Sequence, residues 1–371
     1  MKIIKEGVSK QDTPKLKTGL TLRGDSLYCP LSLSLDAYGN CLNDCYHCYL
    51  RRLNHVWGKE LKPLDIEILE KQMRNGLFNQ SPRSSMAFAL KQKKTVRFGN
   101  KSDPFQEVER EWKVSEKILL LFKKLGWSLV IQTMMTEVMM DYEGLIEEMK
   151  DLIIIQPIIS CGLEKDWEIL ERKRTTPIDQ RISHIEKLKH NGVRVAVNGE
   201  PFIPGYHTEK QFEDMLKLLK SSGIGNYNIY SFHFNDFVAK RLNEIGIDIQ
   251  KIWYFNQDAQ WKLILGRLID LAKKYSIVLG CPDFVNSGPD YVEQTNTCCG
   301  IDVSFPTTFN VITWKRRIQN GENPEFVFED TWDGVGDKEL GRKVFDGTSK
   351  DMYTLLDTGV LDKKKKDGLL F

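Results

Sequence analysis

Short apolar runs rich in β-branched residues alternate along the chain with longer stretches whose apolar positions recur every three to four residues. That is the sequence form of repeated strand-helix units. The runs at 31–35, 95–98, 128–132, 153–160, 193–197 and 227–232 predict strands, and the stretches at 114–125, 142–150, 177–191 and 209–221 predict the helices between them. Gly126 and Gly192 stand just past two of these helices, where a left-handed cap is wanted. Thr176-Pro177 places a capping side chain before a first-turn proline.

Six right-handed βα units of this kind either open as a doubly wound parallel sheet or curl into a full or partial barrel; periodicity alone does not choose. Past residue 240 the pattern changes to one long helical stretch, 252–274, then a strand-like 276–280, and from Cys281 onward it is loop-rich. This divides the chain into an N-terminal segment 1–27, a βα core 28–275 and a C-terminal extension 276–371 that covers or borders the active site. The final DKKKKDGLLF reads as a solvated tail.

A chain of 371 residues buries a sizeable core, and 41% hydrophobic against 28% charged residues is an ordinary globular balance. No apolar run approaches the roughly 20 residues that cross a bilayer, and the start lacks the apolar centre of a signal peptide. The expectation is a cytoplasmic protein without a membrane partner. A net charge of +2 advertises no polyanionic partner, so basic runs have to be judged one by one.

In a reducing compartment the eight cysteines are better read as thiols or metal ligands than as a disulfide frame. Three of them, Cys41, Cys45 and Cys48, fall in CLNDCYHC, directly after the first strand and Gly39-Asn40. They therefore occupy a loop at a strand's C-terminal end, where α/β sheets and barrels keep their chemistry. Structural zinc takes four ligands, typically from two knuckles, and no second knuckle stands at the customary distance, although His47 and His55 are nearby. Three thiolates on a short loop suit three corners of a [4Fe–4S] cubane and leave a fourth iron open to an exogenous ligand. Three inert buried thiols are the bland alternative, and apolar packing gives no reason for this spacing beside Asn43, Asp44 and His47.

CLNDCYHC, followed by βα repeats, resembles the CxxxCxΦC signature of the radical S-adenosylmethionine (SAM) superfamily, with His47 at the usually aromatic position. DPFQEVE, LERKRTTPIDQRISHIEKL and PFIPG narrow the resemblance, over residues 38–205, to the spore photoproduct lyase-like branch. The resemblance implies a partial (βα)6-type TIM barrel with a C-terminal extension. It implies an enzyme in which S-adenosylmethionine chelates the unique iron of a [4Fe–4S] cluster. Reductive cleavage, with electrons from a donor such as a flavodoxin or ferredoxin, then yields a 5′-deoxyadenosyl radical that abstracts a substrate hydrogen. It points to a nucleobase, nucleotide or DNA substrate that is repaired, rearranged or hypermodified. A peptide or small-metabolite substrate is the alternative, and a non-catalytic metal-stabilised binding protein is the third reading.

Cofactor-binding candidates stand at successive strand ends: His47; Gly99, Asn100, Ser102 and Asp103 where the family often has Gly-Gly-Glu; Ser160 and Glu164; Asn198 and Glu200. A helix-capping segment and a structural loop are the competing readings of the last two groups. Nucleic-acid-binding candidates are Arg51, Arg52, Arg172, Arg174, Trp314, Arg316 and Arg317, since phosphates want cations and extruded bases want a stacking platform. Solvated faces are the bland reading of these basic runs, and core packing is that of the aromatics Tyr227, Tyr230, His233 and Phe234. Cys281, Cys298 and Cys299 are candidates for a hydrogen relay or for auxiliary-cluster ligands, while Cys29 and Cys161 read as packing residues.

Overall fold

The computed structural model describes residues 14–22, 29, 31, 33–50, 60–229, 232, 234–280, 298–301, 304–306, 321–323 and 326. Strand β1 (Thr21–Leu22) pairs antiparallel with β2 (Leu33–Leu35). From there β2, β3 (Val96–Phe98), β4 (Leu129–Thr133), β5 (Ile153–Pro157) and β6 (Arg194–Val195) are parallel neighbours in chain order. A second run continues with β7 (Val197–Asn198), β8 (Asn226–Asn228) and β9 (Val278–Gly280), again parallel. The two runs meet at Ala196, whose N–H donates to Ile155, and at a parallel bridge between Ile158 and Asn198. The strand expected at 193–197 is thus one strand interrupted at Ala196, and the sheet curves through it as an open, partial barrel.

Strand alternation sorts the side chains by face. Leu33, Leu35, Val96, Phe98, Leu129, Ile131, Ile153 and Ile155 point outward into one apolar layer, joined there by Ile118, Leu119 and Phe122 of the helix Val114–Leu125. Val197, Tyr227, Ile229 and Leu279 do the same against the helices Glu209–Ser221 and Asp258–Lys274. The intervening residues face inward. At the bottom of that inner face Val130, Ile154 and Ala196 pack against Leu31, Cys299, Ile301 and Phe305.

Several elements have readable causes. The helix Val114–Leu125 begins where the buried Glu109 carboxylate accepts the N–H groups of Val114, Ser115 and Glu116 at 3.0, 2.9 and 3.0 Å, and it ends at Gly126 with φ 57°. Glu209–Ser221 opens with a capping box between Thr208 and Gln211. Two expectations shift. Pro177 itself, not Thr176, is the N-cap of Ile178–His190, because the Thr176 hydroxyl is occupied by the Glu137 N–H at 2.9 Å. The single helix expected at 252–274 is two, Ile249–Phe255 and Asp258–Lys274; Asn256 at the break donates to the Phe232 carbonyl at 3.2 Å. The break turns Trp261, Leu265 and Leu268 into the outer layer. The strand opening the expected C-terminal extension is β9, the sheet's far edge.

Candidate functional site

The cysteine loop leaves the C-terminal end of β2 and is tied down from several directions. Gln106 brackets it, accepting the Leu42 N–H at 2.6 Å and donating to the Asn40 carbonyl at 2.9 Å. Asp103 accepts four donors: the Phe105 N–H and Thr133 hydroxyl on one oxygen, at 3.0 and 2.7 Å, and the Met134 N–H and Asn43 amide on the other, at 2.8 and 3.4 Å. It therefore ties the loop after β3 to the end of β4 and to the cysteine loop. On the far side Asp44, left-handed at φ 55°, takes ion pairs from Arg172, from Arg174 at 3.2 Å and from Arg241 at 2.9 Å. Arg241 also donates to the Cys45 carbonyl at 2.8 Å, and it and Arg172 lie over the Tyr46 ring. The Tyr46 N–H donates to the Leu170 carbonyl at 2.7 Å.

Cys45 is buried and Cys41 and Cys48 are partly buried. Burial first, then the Asp103 charge, pushes the Cys41 thiol up to about 12. Burial, then Glu171, then Cys41 and Cys48 hold the Cys45 thiol well above its ordinary value. The three thiols thus lie within electrostatic reach of one another, and ionising them together wants positive charge in their midst. Among the described residues no three His, Cys, Asp or Glu side chains gather as ligands of one ion would. A cubane spreads its thiolates over separate corner irons, so its ligands sit farther apart than those of a single zinc. The donor set, three thiols on one loop with no fourth among the described residues, fits that cluster. Burial lowers His47 to about 4, so it is a neutral imidazole.

Beside this loop lies a second buried polar group. Asp166 accepts the Ser160 hydroxyl and, at 3.0 Å, the Gly162 N–H, and pairs with His207 Nε2 at 2.7 Å. Burial pushes the Asp166 carboxyl up, but His207 and the Ser160 hydroxyl more than offset it and hold it below the usual range. His207 Nδ1 accepts the Ile203 N–H at 2.8 Å, which fixes the ring as the tautomer that donates from Nε2 to Asp166. A Cβ on Gly162 would stand 2.1 Å from Asp166 Oδ1, so only glycine fits there. Glu171 and Arg181 form a fully buried ion pair, with Arg181 also donating to the carbonyls of Thr176 at 2.7 Å and Ile158 at 2.6 Å.

The positions expected from sequence separate accordingly. Gly99 has φ 90°, and a Cβ there would stand 2.4 Å from the Gln132 carbonyl oxygen, which accounts for the glycine by close backbone approach. Asn100 follows it, half-buried. Ser102 donates to the Tyr38 carbonyl at 2.8 Å. Ser160 is engaged by Asp166, while Glu164 is exposed. Asn198 is buried and its Oδ1 accepts the Glu200 N–H at 3.2 Å. Arg172 and Arg174 meet at Asp44. Tyr227 lies in the outer layer against Phe212, its hydroxyl on the Ile159 carbonyl at 3.0 Å. Cys299 lies on the inner face, its sulfur 3.3 Å from Arg97 Nη2 and 3.5 Å from Asn228 Nδ2. Arg51, Arg52, His55, Tyr230, His233, Cys281, Trp314, Arg316, Arg317 and the side chain of Cys298 lie outside the described residues.

Sequence reasoning carried Gln106 only as part of the DPFQEVE motif and missed Asp166, Glu171, Arg181, His207 and Arg241. Gly162 four residues before Asp166 is the one local signal for the Asp166 group. Arg241 sits on an ordinary amphipathic helix, Asp236–Glu244, and nothing in its neighbourhood marks it.

No family model matches the sequence, and no curated protein matches it. Solved structures do match the fold. Spore photoproduct lyase complexed with dinucleoside spore photoproduct superposes with a TM-score of 0.50 at 11% identity, covering 70% of this chain and 79% of that one. A cysteine-to-serine mutant of spore photoproduct lyase gives 0.52 at 11% identity, with the same coverage. Streptococcus suis SuiB bound to S-adenosylmethionine gives 0.49 at 11% identity over 72% of this chain and 54% of that one. Among the described residues no helix is long and apolar enough to cross a membrane. The chain has an open, partial TIM-type barrel fold similar to that of spore photoproduct lyase.

Proposed function

We propose that this chain is a radical SAM enzyme acting on a nucleobase, a nucleotide or DNA, with Cys41, Cys45 and Cys48 as the ligands of a [4Fe–4S] cluster. One observation carries the reading: a three-thiol loop, clamped on both sides, stands at the C-terminal end of β2, above the inner face of an open parallel barrel. When bound, the cluster and S-adenosylmethionine supply reductive sulfonium cleavage and a 5′-deoxyadenosyl group that takes a hydrogen atom from the substrate.

The chain's own residues hold and shield. Gln106 and Asp103 fix the loop toward the sheet, while Arg172, Arg174 and Arg241 fix it from the other side through Asp44. Such fixing keeps the thiols at a set spread before the cluster arrives. Ser160 and the backbone after β5 and β7 are polar groups at the strand ends that would suit the cofactor's ribose and methionine portions. The nucleobase reading draws support from a similar fold in complex with a dinucleoside photoproduct and from an inner face that offers amide hydrogen-bonding groups. A reductant of the flavodoxin or ferredoxin type completes the scheme.

The test is anaerobic reconstitution with iron and sulfide, reduction, and addition of S-adenosylmethionine. Formation of 5′-deoxyadenosine is expected, with loss of cluster absorbance and of product in Cys45→Ala. Product that persists in Cys45→Ala overturns the ligand assignment. Deuterium passing from a labelled nucleoside into 5′-deoxyadenosine identifies the substrate class.

A further inference from the structure

Above the plug of the barrel the inner face carries a group of amides, and Arg97 from the strand β3 reaches up to the first of them, its Nη1 donating to Gln132 Oε1 at 3.3 Å. Gln132 and Gln156 are register partners on β4 and β5, and Asn198 and Asn228 are register partners on β7 and β8. Ile158, two residues beyond Gln156 on the same face, bridges to Asn198, which joins the two pairs into one patch. Gln156, Asn198 and Asn228 are 0, 1 and 1% exposed.

Their hydrogen bonding is incomplete. Both side-chain heteroatoms of Gln156, the Nδ2 of Asn198 and the Oδ1 of Asn228 are buried with no hydrogen-bond partner among the described residues. Such groups cost about 1–3 kcal/mol each when left unmade, so four of them on one face of the sheet mark a place where a partner belongs. The orientation of Asn198 is fixed, because its oxygen already accepts the Glu200 N–H.

The unmet set is two donors, Gln156 Nε2 and Asn198 Nδ2, and two acceptors, Gln156 Oε1 and Asn228 Oδ1. A phosphate or carboxylate would satisfy the donors and strand the acceptors; an ammonium would do the reverse. A planar edge that alternates C=O, N–H and C=O gives each donor a carbonyl and turns its one N–H toward the two acceptors. We propose that Gln156, Asn198 and Asn228 form a specificity floor that binds the imide edge of an uncharged heterocycle, seated under the cysteine loop. This rests on the nucleobase reading above and assigns the residues that would read the base.

Uridine is the probe and N3-methyluridine, which lacks the central donor, is its control. Binding is measured by ligand-observed NMR or calorimetry on the purified chain, without reductant, so that the readout is independent of cofactor cleavage. Expected is a uridine affinity lowered about 10- to 100-fold in Gln156→Leu and in Asn228→Leu. N3-methylation should weaken binding to the wild type similarly and add less in Gln156→Leu, where one of the two acceptors facing the N–H is already gone. Unfolding midpoints of both variants at or above the wild-type value show that the fold is intact. Equal uridine affinity in wild type and Gln156→Leu, or no binding to the wild type while 5′-deoxyadenosine still forms, overturns the floor and leaves the proposed chemistry standing. Uridine binding that depends on Gln156, together with no 5′-deoxyadenosine after reconstitution, does the opposite.

Discussion

The two faces of the same strands do opposite work. On β5 the outward Ile153 and Ile155 are fully buried in an apolar layer that runs unbroken into the helices. The inward Ile154 and Gln156, one residue along, start at the apolar plug and end at an amide whose polar atoms lack partners among the described residues. Alternation by two puts the apolar layer of the barrel on one side of the sheet and its unmet polar atoms on the other. Each can then be changed without touching its neighbour in sequence.

The comparison breaks first at its most costly point. Ile155→Ala removes a fully buried side chain between sheet and helices, and a loss of about 2–5 kcal/mol in denaturant unfolding is expected. Gln156→Leu, at the next position, keeps the volume and removes two unmet polar atoms. Its stability should stay level or rise by about 1 kcal/mol, since the desolvation penalty of those atoms disappears. If Gln156→Leu destabilises as much as Ile155→Ala, the inner face is an ordinary core.

This division explains which parts of the molecule could be read without coordinates. The outer layer writes itself as apolar periodicity, so the strands at 95–98 and 128–132 and the helices Val114–Leu125 and Glu209–Ser221 were placed to within a residue or two. The three cysteines were legible because their spacing is local. Gln156, Asn198 and Asn228 come from three strands, and only curvature of the sheet makes them one patch. Asn198 was singled out as a strand-end residue, but Gln156 sits inside an IIIQP run and reads as noise in a hydrophobic strand. Asp166, His207 and Arg241 are brought in from helices and loops far along the chain. The interruption at Ala196 and the split at Asn256 depend on partners, Ile155 and Phe232, that no local window contains.

A smaller effect is expected where the site meets solvent. Asp44 gathers Arg172, Arg174 and Arg241 with side chains 12–30% exposed, so screening weakens each pair. Asp44→Asn keeps a residue that tolerates the left-handed backbone and removes only the charge. A loss of about 1 kcal/mol at low salt is expected, shrinking toward zero in 1 M salt. After reconstitution the variant should retain less iron per chain than wild type. Unchanged iron content would separate the arginine clamp from cluster binding and leave it as surface electrostatics.

The smallest expected effect tests whether the outer side is as inert as its apolar layer suggests. His184, on the helix Ile178–His190, shares a hydrogen bond of 2.9 Å between its Nδ1 and the Thr136 hydroxyl. Burial, more than the neighbouring Lys187, lowers its pKa below the ordinary histidine value, against the opposing pull of Glu137 and Glu143. The folded chain therefore binds this proton less readily than the unfolded chain does. Stability tied to His184 is fully present above about pH 6.5, where both states are neutral, and is lost as pH falls toward the lowered folded value. Denaturation midpoints measured from pH 7.5 down to 5 should fall less steeply for His184→Asn, whose amide oxygen can still accept the Thr136 hydroxyl, than for wild type. Parallel slopes would mean that the acid sensitivity of the fold lies elsewhere, and that the outer face carries no titrating group of consequence at this position.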